Sequence, residues 1–161
     1  AFDKTSKILN LGYPGGPSIE KFAKLGNKES YNLPLPIINR AGCNLSLSGL
    51  KTDVLRKSRN IKSTKDRYDM AASFQEAINK ILRKKTEVAM KIFQKEISKN
   101  SLRLFVVAGG VAANDSIRNN LKQLSKKMNF KTIFPSKQFC GDNAAMIAWA
   151  GIQRYKKKII W

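Results

Sequence analysis

The segment Leu102-Arg103-Leu104-Phe105-Val106-Val107-Ala108-Gly109-Gly110-Val111-Ala112-Ala113-Asn114 joins an apolar run to a glycine pair and then to a helix-capping residue. A continuous apolar run bounded by turn residues reads as a buried strand over 102–107. Residues 108–111 are then a tight turn. Asn114 or Asp115 caps a helix whose apolar positions, Ile117, Leu121 and Leu124, recur at three- and four-residue steps. Residues 131–134 read as a second strand and 135–141 as a loop. Asp142 starts a last helix that runs to Tyr155 and is rich in small residues. Strand, glycine turn, helix, strand, loop and helix is the order of a parallel α/β layer, so the expected fold class is α/β.

Upstream of this layer the pattern is helical. Phe74, Ile78, Ile81, Leu82, Val88, Ala89, Ile92, Phe93 and Ile97 predict one long helix from Asp66, or two with a bend near 84–86, with lysines facing out. Residues 58–65 form a basic linker and 50–57 a helix. The alternation in 44–49 predicts a short strand, and 27–42, polar and proline-bearing, is extended or looped. Residues 18–25 form a helix opened by Pro17 and closed by Gly26. Residues 13–17, with two prolines and two glycines, break it from a helix end over 1–10 that carries Phe2, Ile8 and Leu9. No repeat at solenoid spacing is present.

Composition narrows the chemistry. Lys and Arg number 31 against 11 Asp and Glu in 161 residues, a formal charge of +20. That excess favours a polyanion partner, nucleic acid before a membrane surface, over a merely solvated lysine coat. There is no histidine, which excludes a His general base, a Ser-His-Asp triad or an HExxH site within these residues. Two cysteines, Cys43 and Cys140, are too few for a Cys-rich zinc site and suggest a reducing compartment. Apolar runs fall far short of the ~20 residues of a membrane helix. The chain starts at Ala1 without a signal segment, and the expectation is a truncated or processed polypeptide.

Few positions could carry chemistry, and each has a plain structural reading. Gly109-Gly110 lets a ligand approach the backbone, or simply turns the chain. Asn114 contacts a ligand over those glycines, or caps the helix. Asp142 is a hard-oxygen metal ligand, or an N-cap. Asp3 and Glu20 suit ribose hydroxyls, or are surface charges. Gly15 and Gly16 are most simply turn residues. Ser46 and Ser48 have no base to activate them.

Taken in order, Ala1-Phe2-Asp3-Lys4, Tyr13-Pro14-Gly15-Gly16-Pro17, residues 45–52 (LSLSGLKT), residues 108–114 (AGGVAAN) and residues 141–148 (GDNAAMIA) are far more specific. The series resembles the tRNA N6-adenosine threonylcarbamoyltransferase family, formerly labelled O-sialoglycoprotein endopeptidase or glycoprotease. The resemblance covers nearly the whole chain and is weakest over 55–100. It implies an actin-like ATPase (ASKHA) fold, two lobes around a nucleotide cleft. It implies transfer of threonylcarbamoyl from threonylcarbamoyl-adenylate to N6 of the adenosine beside the anticodon, in tRNAs reading codons that begin with A. By the same resemblance Asp3, Gly16, Glu20 and Asn114 bind the adenylate. Asp142 is the aspartate ligand of one iron or zinc ion. No catalytic side chain is assigned.

Members of that family are about twice this length, and their other half carries the paired histidines of the metal site and a glycine-rich phosphate loop. The chain is therefore expected to be the C-terminal part, with the N-terminal lobe missing. Within 1–161, residues 20–100 are then mainly a helical insertion, and 101–161 the α/β lobe of the nucleotide and metal sites. Expected partners are tRNA, the adenylate, the N-terminal half of the enzyme and subunits of a tRNA-modification complex, with no membrane. The expected location is the cytoplasm or mitochondrial matrix. The piece alone is expected to be inactive. The alternative is a non-catalytic basic RNA-binding or complex-assembly module; a protease is excluded for want of its residues.

Overall fold

The structure is a computed structural model that describes residues 1–97 and 101–159. Six α-helices are described: α1 Phe2–Leu9, α2 Gly15–Ala23, α3 Ser48–Ser58, α4 Thr64–Glu96, α5 Asp115–Lys127 and α6 Ala144–Lys156. Two short strands, β1 Leu104–Val106 and β2 Lys131–Ile133, pair in parallel with Phe105 opposite Thr132. The chain is thus α-rich with a small parallel sheet.

The 33-residue α4 runs unbroken through 84–86 and spans about 50 Å at 1.5 Å per residue. Its start is fixed by a capping box. Ser63 Oγ accepts from the Asp66 N–H at 3.0 Å, and the Asp66 carboxylate accepts from the Ser63 N–H at 2.9 Å. The helix therefore begins two residues before the expected Asp66. Met70, Phe74, Ile78 and Ile81 form its buried stripe, and the first three meet Leu9 of α1, Ile19 of α2, Leu50 and Val54 of α3, and Ile117 and Leu121 of α5 in one core. Phe2 and Phe74 meet edge to face, with centroids 5.3 Å apart.

Four local expectations are corrected. Residues 44–47 form no strand: with no partner strand beside it the alternation is not used, Leu47 packs on the core and Leu45 stays exposed. The second helix begins at Gly15, three residues early, because a proline anywhere in the first turn lacks only an N–H that has no intrahelical partner there. The α4 lysines do not all face out: Lys85 is buried, and its Nζ donates to the carbonyls of Arg40 at 2.6 Å and Gly42 at 3.2 Å, tying down the 27–47 loop. The apolar run 102–107 is only half covered. Phe105 and Val107 pack on the core, whereas Leu104 and Val106, on the opposite face, are exposed together with Ile133.

Asp69 pins the same loop region from inside. Its buried carboxylate accepts from the Lys65 ammonium at 2.6 Å and the Asn27 N–H at 2.7 Å. These two contacts hold its pKa below the usual carboxylate range. A depressed folded pKa means that the stabilisation is complete above the unfolded value of about 3.9 and is lost as pH falls through the folded value. Asp69→Ala should therefore cost about 1–3 kcal/mol at neutral pH, since it removes two hydrogen bonds to a charged group at once. Urea unfolding should show the gap to wild type narrowing below about pH 4. A gap of constant size down to strong acid would contradict the assignment.

At the far end, α6 carries no buried residue. Ile147, Trp149 and Tyr155 are 67, 63 and 86% exposed. On the β1–β2 pair, Leu104, Val106 and Ile133 leave one side uncovered, although parallel strands are normally buried on both sides. Among the described residues no helix is long and apolar enough to cross a membrane.

Candidate functional site

A hollow of about 500 Å³ opens between α1, α2, the 3₁₀ turn Gly110–Ala113 and the start of α5. Asp3, Gly16, Glu20 and Asn114 all line it, with Phe2, Pro17, Val111 and Ala113 as its apolar walls. The size suits a nucleoside-sized ligand.

Each carboxylate is oriented by one backbone N–H. Asp3 Oδ1 accepts from Gly15 at 2.8 Å, and Glu20 Oε1 accepts from Asp115, at the head of α5, at 2.7 Å. One oxygen of each is thereby fixed, and the other remains as an acceptor. The Asp3 contact needs a glycine at position 15. A Cβ there would lie 2.4 Å from Asp3 Cα and 2.7 Å from its Oδ1. Gly109, at φ +91°, makes the turn from β1 into the 3₁₀ segment, a conformation that side chains disfavour.

Asn114 takes up the capping reading and also lines the hollow. It is buried, its Oδ1 caps α5 by accepting from the Ile117 N–H at 3.0 Å, and its Nδ2 donates to Gln75 Oε1 on α4 at 2.8 Å. One amide N–H is left over for a ligand. Gln75, a residue the sequence pattern did not single out, thus braces Asn114 from behind.

Lys137 and Arg118 were also missed. Lys137 lines the hollow, and its Nζ pairs with Asp115 Oδ2 at 2.6 Å. That contact, followed by the charges of Lys24 and Arg118, holds the Asp115 carboxyl below its usual range. Arg118 donates to the carbonyls of Ala112 and, at 2.7 Å, Pro135, and stacks over Phe134. It clasps the 110–113 turn to the loop that carries Lys137. A basic residue one turn into a helix gives no signal of this in sequence.

Asp142 stands apart. It is exposed between the 3₁₀ turn Lys137–Phe139 and α6, and it does not line the hollow. Nor does it cap α6: Asn143 Oδ1 does so, accepting from the Met146 N–H at 2.8 Å. Among the described residues no group of three or more His, Cys, Asp or Glu could hold a metal ion. One exposed carboxylate does not make a metal centre, so these residues alone do not fit an iron or zinc ion. A second, polar groove of about 320 Å³ between α4 and α5, lined by Asn79, Arg83, Ser116 and Asn120 among others, contains none of the expected residues.

The comparisons with known proteins bear on the whole of this arrangement. The family model described as tRNA N6-adenosine threonylcarbamoyltransferase matches residues 1–149. A curated protein of that description from Pelagibacter ubique (strain HTCC1062) is 52% identical over 160 residues, 98% of this chain and 44% of the relative. One from Rickettsia rickettsii (strain Sheila Smith) is 45% identical over 99% of this chain and 47% of its own length. One from Thermosipho africanus (strain TCF52B) is 47% identical over 99% and 46%. The chain spans a little under half the length of these relatives. With a match over nearly all of its residues, the chain belongs to the tRNA N6-adenosine threonylcarbamoyltransferase family.

Proposed function

We propose that the chain is the nucleotide-holding part of a transferase that moves threonylcarbamoyl from threonylcarbamoyl-adenylate to N6 of the adenosine beside the anticodon, in tRNAs reading codons that begin with A. The observation that carries this reading is the hollow in which Asp3, Gly16, Glu20 and Asn114 meet. In it, the second oxygens of Asp3 and Glu20 accept from the ribose hydroxyls. Gly16 lets the ligand lie close to the backbone, and the remaining amide N–H of Asn114 holds it in register. N6 attacks the carbamoyl carbon, the bond from that carbon to the phosphate oxygen breaks, AMP departs and N6 loses a proton. An aromatic amine is a weak nucleophile, so orientation is this chain's contribution to the rate.

In this reading the chain is the C-terminal lobe of an actin-like ATPase architecture, and the N-terminal half completes the cleft. The exposed apolar side chains of α6 and the bare side of the sheet support a missing cover. Asp142, just before α6, would be this chain's one ligand to a metal held mainly by residues outside it. Mixing the chain with the N-terminal half of the Pelagibacter relative, tRNA and the adenylate tests the proposal. Transfer is expected only with both halves present. Turnover by the chain alone, or none from the pair once they form a complex, would contradict it.

The charge of +20 favours a second reading, a basic RNA-binding or complex-assembly module without catalysis. Under either reading tRNA affinity should fall steeply with salt, on the order of 10³-fold or more between 50 and 200 mM if six or more phosphates are neutralised. Filter binding across that range checks it. Salt-resistant tRNA binding without any adenosine binding would favour a different partner altogether.

A further inference from the structure

We infer that Lys137 is an anion subsite of the hollow, which receives the phosphoryl group of a nucleoside 5′-monophosphate-type ligand. The inference rests on the nucleotide reading above and adds a residue to it. Among the described residues lining the hollow, Lys137 is the one cation, while Asp3 and Glu20 are both acidic. An anionic ligand held against two carboxylates between apolar walls is repelled unless a positive charge faces it. Lys137 is the group placed to supply that charge.

Its present partner does not forbid the role. The Lys137–Asp115 pair is open to water, with side chains 55 and 47% exposed, and such pairs contribute little. A lysine stem is long and flexible enough to exchange one anion for another at the same rim. The loop under it is not free to drift, because Arg118 donates to Pro135 O at 2.7 Å and to Cys140 Sγ at 3.1 Å, on either side of Lys137. Asp115 is fixed in turn through its own N–H, which binds Glu20. In the empty hollow Asp115 neutralises Lys137; with a phosphoryl ligand seated, the ammonium turns inward and Asp115 is released to solvent and to the charges of Lys24 and Arg118.

The experiment titrates the chain with adenosine and with AMP, at low salt, by calorimetry or ligand-detected NMR. Wild type should bind AMP about tenfold more tightly than adenosine, the lower end of what a charge-assisted hydrogen bond contributes. In Lys137→Gln that ratio should fall to about one, and Lys137→Arg should keep part of it. Asp115→Asn, which retains the backbone N–H to Glu20, should raise the ratio. If adenosine binds but wild type shows no preference for AMP, or if Lys137→Gln keeps the preference, the anion subsite is overturned and the nucleotide reading stands. If neither compound binds wild type, alone or together with the N-terminal half of the Pelagibacter relative, the nucleotide reading falls and the subsite with it.

Discussion

Gly15→Ala should abolish nucleotide binding, although it removes no side chain from the hollow. The added Cβ would sit 2.4 Å from Asp3 Cα and 2.6 Å from Asp3 N, and backbone atoms cannot rotate away as a side chain can. Relief requires α1 and α2 to separate. That breaks the 2.8 Å hydrogen bond from Gly15 N–H to Asp3 Oδ1 and moves the carboxylate off the wall of the hollow. Overpacking of this kind costs about 1–3 kcal/mol or more, so the melting temperature should fall as well. Gly16→Ala is the control. Nothing lies within 4 Å of a Cβ at that position, so stability should hardly change, while a methyl projecting from the hollow's wall weakens adenosine binding. Parallel thermal melts and adenosine titrations of the two variants check this. Equal stability for both would mean that the helices are not in the close contact described.

The second large effect is on the core. Phe74 is fully buried, with Phe2 on its edge and residues of α1 to α5 around it. Phe74→Ala leaves a cavity at the place where the helices converge and should cost about 3–5 kcal/mol. Against a typical total of about 5–15 kcal/mol, that is a large share. Urea denaturation should show a midpoint lowered in proportion with an unchanged slope. Because Phe2 also lines the hollow, the same variant should weaken nucleotide binding even under conditions where it remains folded. A midpoint within error of wild type would show that the core lies elsewhere.

Much of this arrangement was legible in the residues. The glycine pair between an apolar run and a capped helix does lead from β1 into α5, and Asn114 is its cap. The three- and four-residue spacing over 66–97 does make a helix, and its buried stripe is the stripe the pattern names in its first half. What failed depended on neighbours that sequence does not display. The alternation at Leu45 and Leu47 needs a partner strand, and none lies beside it. Lys85 reads as a solvated charge until two loop carbonyls close over it. Asp142 and Asn143 are equally good caps on paper, and only the backbone geometry chooses Asn143. Strand 102–107 reads as buried on both sides, whereas the described residues cover only one.

The hollow itself could not have been read from composition or periodicity. Asp3 and Asn114 stand 111 positions apart, and they meet only because α4 brings α1, α2 and α5 onto one stripe. The family resemblance pointed to Asp3, Gly16, Glu20 and Asn114, whereas Gln75, Arg118 and Lys137 emerge from contacts alone. The same contacts show how the site is held. Two backbone N–H groups aim the carboxylates, an amide pair braces the turn, and an arginine fastens the lysine-bearing loop.

An amide-resolved NMR titration of the chain with AMP reaches the core of the account most directly. Gly15, Gly16, Gly110, Asn114 and Asp115 should shift together, with one common dissociation constant. A spectrum left unchanged, or shifts confined to the Asn79–Asn120 groove between α4 and α5, would contradict it.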